Sequence, residues 1–178
     1  MIKDTLVGFS KGKAYPGRWL SDLICWATGS IASHTFIIYW NEPFRCYMVC
    51  EASEIGIRDI PYDKFSQINE VVAVYRPKQD ITSGLAKAHD RMADSYYYLG
   101  LFGMAFVAIG RWLKKKWDNP FRNTKSLFCS EWDAIVLMAA SYPNVDHWDP
   151  INIEPVDVLN LLAKDGSQAV DPASLLKE

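Results

Sequence analysis

A cysteine works as a nucleophile when a base takes its proton and a third group holds that base in place. The chain has cysteines at 25, 46, 50 and 129, and only Cys129 stands at the head of a helical pattern. Phe128-Cys129-Ser130-Glu131-Trp132 is followed by Ala134, Ile135, Leu137 and Met138, which predicts an amphipathic helix over residues 129–140. A helix N-terminus offers N–H groups and partial positive charge that favour a thiolate and suit an oxyanion beside the sulfur. The competing reading of Cys129 is an ordinary buried small residue. Of the histidines, His89 falls among Lys87, Asp90 and Arg91 and is expected to be solvated. His147 lies in the turn-rich run Asn144-Val145-Asp146-His147-Trp148-Asp149-Pro150 and is expected at the surface. His34 opens a strand, His34-Thr35-Phe36-Ile37-Ile38-Tyr39-Trp40, and is the candidate base.

The elements around these residues supply the third group. Residues 35–40 and 45–53 read as two strands joined by the four-residue loop Asn41-Glu42-Pro43-Phe44. If Trp40 pairs with Arg45, Glu51 falls directly opposite His34 on the same face, with Cβ atoms about 5 Å apart. Glu51 then accepts a hydrogen bond from one ring nitrogen while the other faces the thiol. A slip of one residue would send Glu51 to the other face. The alternative partners for Glu51 are Arg58 and Arg45 on the sheet surface.

Further strands are expected at 5–9, 55–60 and 71–75, the last stopped by Pro77. Helices are expected at 18–28, closed by Gly29, at 81–94, and after Pro155. Strands grouped between helices, without βαβ alternation, indicate an α+β fold whose antiparallel sheet packs against helices. Residues 1–165 are expected to form one domain and residues 166–178 a frayed tail.

Composition narrows the function classes. The chain has 178 residues, 49% hydrophobic and 22% charged, a globular balance that excludes disorder and coiled coil. Nineteen Lys and Arg against 21 Asp and Glu give a net charge of −2, so no basic surface invites nucleic acid. No glycine-rich phosphate loop follows a strand, and no cofactor is implied. The Cys46–Cys50 spacing is poor for zinc and has no second pair to complete it, so no metal site is expected either. The N-terminus lacks an apolar run of signal-peptide length, which predicts a cytoplasmic protein with reduced thiols. Residues 99–113 are apolar apart from Arg111 but too short to span a bilayer, and Lys114-Lys115-Lys116 follows. Residues 99–116 read as a buried helix with a basic end or as a peripheral membrane contact.

The order of these pieces resembles the circularly permuted branch of the NlpC-type papain-like cysteine hydrolases, the YiiX-like group. The matching residues are Pro16-Gly17-Arg18-Trp19-Leu20, Ser33-His34-Thr35, Cys50-Glu51-Ala52-Ser53 and Gly56-Ile57. They continue with Val74-Tyr75-Arg76-Pro77, Tyr96-Tyr97-Tyr98 before Gly100, Phe128-Cys129-Ser130-Glu131 and Ile153-Glu154-Pro155-Val156-Asp157. The resemblance implies a papain-like fold with Cys129 as nucleophile, His34 as base and Glu51 as the polar third member. The reversed order of Cys and His is what permutation requires, and the chemistry depends on geometry alone. The resemblance also implies a substrate site near Tyr96, Tyr97, Tyr98, Ser33 and Ser130.

The leading expectation is therefore a thiol hydrolase that cleaves a peptide or peptidoglycan-type amide through an acyl-enzyme on Cys129. The second is a lipid acyl hydrolase or acyltransferase using the same triad, with residues 99–116 facing lipid. A third, from another class, is a non-catalytic virion or scaffold component that keeps the fold. Relatives acting on cell walls are often exported, so a cell-wall substrate here requires delivery by a phage particle or by lysis.

Overall fold

In a computed structural model, the described residues are 4–13, 17–53, 56–89 and 128–176. They form a mixed α+β fold built on one six-stranded sheet, all of whose pairings are antiparallel. The strands are β1 (Leu6–Gly12), β2 (His34–Asn41), β3 (Cys46–Ser53), β4 (Gly56–Pro61), β5 (Asn69–Arg76) and β6 (Gln168–Ala169). Their order across the sheet is β4-β3-β2-β1-β5-β6. Five α-helices accompany them among the described residues: α1 (Gly17–Thr28), α2 (Tyr62–Ile68), α3 (Thr82–Ala88), α4 (Cys129–Ala139) and α5 (Pro155–Lys164). None of the described helices is long and apolar enough to cross a membrane.

Gly29 ends α1 at φ 65°, and the Ser30 N–H bonds back to the Cys25 carbonyl at 3.1 Å. This is the left-handed cap that a glycine at that position accommodates without strain. The sheet buries both faces. On one side, Val7, Phe9, Ile37, Cys50 and Ile57 meet Leu85 of α3, Trp132, Val136 and Leu137 of α4, and Val158 and Leu162 of α5. On the other, Leu6, Phe36, Ile38, Val49 and Val74 meet Tyr62 and Phe65 of α2 and Leu175. The alternation of residues along β2 and β3 feeds both layers, as period-2 geometry requires.

Three sequence-based expectations change here. The helix begun by Cys129 is not amphipathic: Trp132, Asp133, Ala134, Val136 and Leu137 are all fully buried, because it is sandwiched between the sheet, α3 and α5. The tail after residue 165 is folded: β6 pairs with β5, and Leu175 enters the second core layer from a 3-10 turn at Pro172–Leu176. The α2 turn was absent from the sequence reading; seven residues with Tyr62 and Phe65 as their buried pair are too few for a periodic signal. Of the helix expected at 81–94, the described part is α3 and His89; residues 90–94 lie outside the described residues.

α3 approaches α4 so closely at Gly84 that a Cβ there would stand 2.1 Å from the Val136 carbonyl oxygen and 2.7 Å from the Ala140 nitrogen. Those are backbone atoms and do not swing aside. Gly84→Ala is expected to destabilise the fold by at least the about 1–3 kcal/mol usual for overpacking. Thermal melting beside Ser83→Ala, at an exposed neighbouring position, reads this directly; equal melting temperatures would contradict the contact.

Candidate functional site

Cys129 is the first residue of α4. The preceding Phe128 is extended, and its N–H donates to the Glu131 carboxylate at 3.3 Å, which turns the chain into the helix. The first helical bond runs from Trp132 N–H to the Phe128 carbonyl at 2.9 Å. The N–H groups of Cys129 and Ser130 therefore have no acceptor within the helix and mark its positive end.

His34 begins β2, and its ring lies against the pair formed by Phe36 (centroids 5.8 Å apart, 25°) and Phe65 (6.2 Å, 31°), whose own centroids are 4.4 Å apart. Its Nε2 lies 2.6 Å from Oε2 of Glu51, and the imidazole is within electrostatic reach of the Cys129 sulfur. Since a carboxylate only accepts, Nε2 carries the proton and Nδ1 is the nitrogen left for the sulfur. The other oxygen of Glu51, Oε1, accepts from Nε and Nη2 of Arg58 at 2.8 and 2.7 Å. Glu51 is thus buried between two cations, and it meets both His34 and the arginine that sequence reading offered as the alternative partner.

The hairpin register differs from the expected one. Asn41 pairs with Cys46 and Trp40 with Tyr47, so the four-residue turn occupies residues 42–45, one position later. The turn is set by Asn41, whose Oδ1 accepts the Phe44 N–H at 3.1 Å, and by Arg45, which leaves the strand at φ 51°. Glu51 consequently is not opposite His34; continuing the Ile37–Cys50 pair places it beside Phe36, two positions along. A displacement of two preserves the face, and the histidine reaches its carboxylate diagonally.

Electrostatics follow from these contacts. Burial works against a charged imidazole, but the Cys129 sulfur and the Glu51 carboxylate outweigh it and push the His34 pKa well above its ordinary value. Burial likewise raises the Glu51 carboxyl, yet the hydrogen bonds and charges of His34 and Arg58 win and hold it below the usual range. The arrangement favours the imidazolium form of His34.

Sequence reading missed Asp133, one turn beyond Cys129 on the same helix. It is fully buried, with Oδ2 2.5 Å from the Thr35 hydroxyl, while Oδ1 has no hydrogen-bond partner. Thr35 Oγ1 also lies 3.2 Å from the Gly8 carbonyl. One hydroxyl proton cannot serve two acceptors. Burial, partly opposed by Thr35 and His34, raises the Asp133 pKa to about 7; in its ionised form the carboxylate accepts from Thr35, and once protonated it can donate to Thr35, which then donates to Gly8. This strut joins the cysteine helix to the residue after His34. An acid four residues after Cys129, the one polar residue within the apolar run 132–139, was the available signal.

The expected substrate residues fare differently. Ser130 is buried and its hydroxyl donates to the Ile153 carbonyl at 2.6 Å, tying α4 to the approach to α5. The Ser33 hydroxyl donates to Ser21 at 2.8 Å, and Ser21 accepts the Gly12 N–H at 2.8 Å, so this pair pins α1 to β1. Both hydroxyls are engaged within the fold. Tyr96, Tyr97 and Tyr98, and residues 99–116, lie outside the described residues. His147 is exposed as expected; His89 is half-buried rather than solvated. All four cysteines are free. No protein-family model matches the chain, and no curated protein does either.

Two measurements test these assignments. The ring-nitrogen NMR shifts of His34 are expected to remain those of an imidazolium at about pH 8, where a free imidazole is neutral. In Cys129→Ala the midpoint should fall, because the sulfur is the leading favourable influence. For Asp133, the folded pKa is raised, so its contribution is full below about pH 4 and is lost as pH rises to about 7. Asp133→Asn, which mimics the neutral acid, should therefore raise the melting temperature at pH 8 and change it little at pH 4. A uniform effect at both pH values would contradict the neutral-acid assignment.

Proposed function

We propose that the protein is a cysteine hydrolase in which Cys129 is the nucleophile, His34 the base and Glu51 the group that orients and charges the base. The observation that carries this reading is the convergence of three separate elements on one helix N-terminus, where His34 is hydrogen-bonded to Glu51 and its imidazole is within electrostatic reach of Cys129. The sequence of pieces along the chain, helix, His strand, acidic strand and Cys helix, supports a permuted papain-like fold of the NlpC type.

The chemistry follows from the contacts. His34 Nδ1 holds the proton of Cys129, and the thiolate attacks the carbonyl carbon of an amide. The oxyanion faces the N–H groups at the start of α4. The imidazolium then protonates the departing amine, leaving a thioester on Cys129. A water deprotonated by His34 hydrolyses that thioester and restores the thiol. Glu51 stays ionised throughout, because Arg58 neutralises it from the far side and His34 alternates between neutral and charged against it. The substrate is a peptide or peptidoglycan-type amide.

The test is mass spectrometry after incubation with cell-wall peptides and, separately, with lipid extracts, following adducts on Cys129 and product release. Turnover of the cell-wall peptides is expected; an acyl adduct formed only from lipid would replace the amide substrate with an ester or acyl-transfer one. Cys129→Ala and His34→Ala should reduce activity to background. Glu51→Gln keeps a hydrogen-bond acceptor but loses the charge, and should cost roughly 100-fold. Glu51→Gln at full activity would remove it from the mechanism. An iodoacetamide label should modify Cys129 ahead of Cys25 and Cys50, whose burial raises their thiol pKa values.

A further inference from the structure

Cys50 and Glu51 are consecutive residues of β3 and their side chains leave the sheet on opposite faces. Glu51 serves the Cys–His pair. Cys50, fully buried, pairs across to Asp59 of β4, and next to Asp59 stands His89, the residue that follows α3. The thiol sulfur, a carboxylate oxygen and an imidazole nitrogen of these three all lie within 4.8 Å of one another.

Neither of two simpler readings fits their arrangement. In a second Cys–His–acid triad the imidazole would stand between thiol and carboxylate. Here thiol and imidazole both face the carboxylate: Cys50 pairs across the strands with Asp59, and Nε2 of His89 lies 3.8 Å from Oδ2 of Asp59. A simple His–Asp hydrogen bond fails as well, since Nε2 of His89 is 3.8 Å from Oδ2 of Asp59. The imidazole is oriented from its other side. Nδ1 is 2.8 Å from the Leu85 carbonyl, so Nδ1 carries the proton and Nε2 turns its lone pair toward the carboxylate and the thiol. A metal-binding histidine is held in this way, by a backbone carbonyl on the nitrogen it does not use. Tyr39 flanks the same groups, within electrostatic reach of the Asp59 carboxylate and with its ring edge-on to His89 at 6.5 Å.

We infer that Cys50, Asp59 and His89 form a binding site for a divalent metal ion of the zinc class, with a fourth position left to water. A thiolate, a carboxylate and a neutral imidazole cancel the charge of a dication, and this mixture of soft and borderline donors suits zinc better than calcium or magnesium. Around tetrahedral zinc such donors stand roughly 3.3–3.6 Å apart, so closing the site needs side-chain shifts of about 1 Å. On binding, the Cys50 proton passes to solvent and a sulfur–metal bond replaces the S–H to Asp59 contact. The ion would fasten β3 and β4 to the end of α3 directly behind Glu51. Sequence reading excluded a metal because it looked for closely spaced ligands, and these come from three elements.

The experiment is titration of metal-stripped Cys129→Ala protein with Co²⁺ alone, which keeps the Cys–His pair at the other site from contributing a thiolate. The expected result is one equivalent bound, with a thiolate-to-cobalt charge-transfer band in the near ultraviolet and intense visible bands of four-coordination, both abolished by Zn²⁺. Adding Cys50→Ser should remove the charge-transfer band. His89→Gln, at a half-buried helix end, should weaken Co²⁺ by more than the roughly 10–100-fold that loss of an outer-shell partner costs. Absence of the band in Cys129→Ala, its persistence with Cys50→Ser, or undiminished affinity in His89→Gln would each overturn the site. If Cys50→Ser fails to fold, the Cys129→Ala titration and His89→Gln decide the question between them.

Discussion

A carboxylate in a protein interior must be compensated by charge and hydrogen bonds, and the candidate site depends on how Glu51 meets that demand. One oxygen takes both nitrogens of Arg58 and the other takes His34, so one buried anion is shared by two cations from the neighbouring strands. Removing either partner from such a pair typically costs several kcal/mol, because it strands the remaining charge. β2, β3 and β4 are therefore bound to a single relative register. Any slip that separated His34 or Arg58 from Glu51 would leave a buried charge alone, and that penalty keeps the imidazole where the sulfur can use it.

The second constraint lies between sheet and helix. Cys129 belongs to α4 and His34 to β2, elements 95 residues apart along the chain if counted between the two side chains. Hydrophobic packing of Trp132, Val136 and Leu137 against the sheet brings them together, but packing is not directional. Direction comes from polar contacts at buried positions: Asp133 to Thr35, and Ser130 to the Ile153 carbonyl. Each places one end of the cysteine turn against a fixed backbone point. Burial raises the Asp133 pKa to about 7, and its protonated form is cheaper to bury than the ion.

The sheet also separates two chemistries by one residue. Because successive side chains alternate, Glu51 is delivered to the Cys–His pair while Cys50 meets Asp59 and His89 on the other face. Burial and the neighbouring Asp59 carboxylate keep the free Cys50 thiol protonated, whereas Cys129 has the His34 imidazole beside it.

Local features were legible without the fold. Cys129 at a helix start, His34 at a strand start, the Gly29 cap and the α+β class all follow from short-range pattern, since caps and periodicity depend on residues within one or two turns. The pairing of His34 with Glu51 was also legible, for a reason of parity. The hairpin register was off by two, and an even error leaves every side chain on its face. Tertiary structure decided the rest. The frayed tail became an edge strand because β5 had an open edge to pair with, which no local pattern in residues 168–169 reveals. Ser33 and Ser130 turned to structural partners because their hydroxyls, once carried near the core, needed acceptors. Asp133 and the Cys50–Asp59–His89 cluster depend on contacts between elements far apart in sequence, and only the packed sheet and helices bring those side chains within reach of one another.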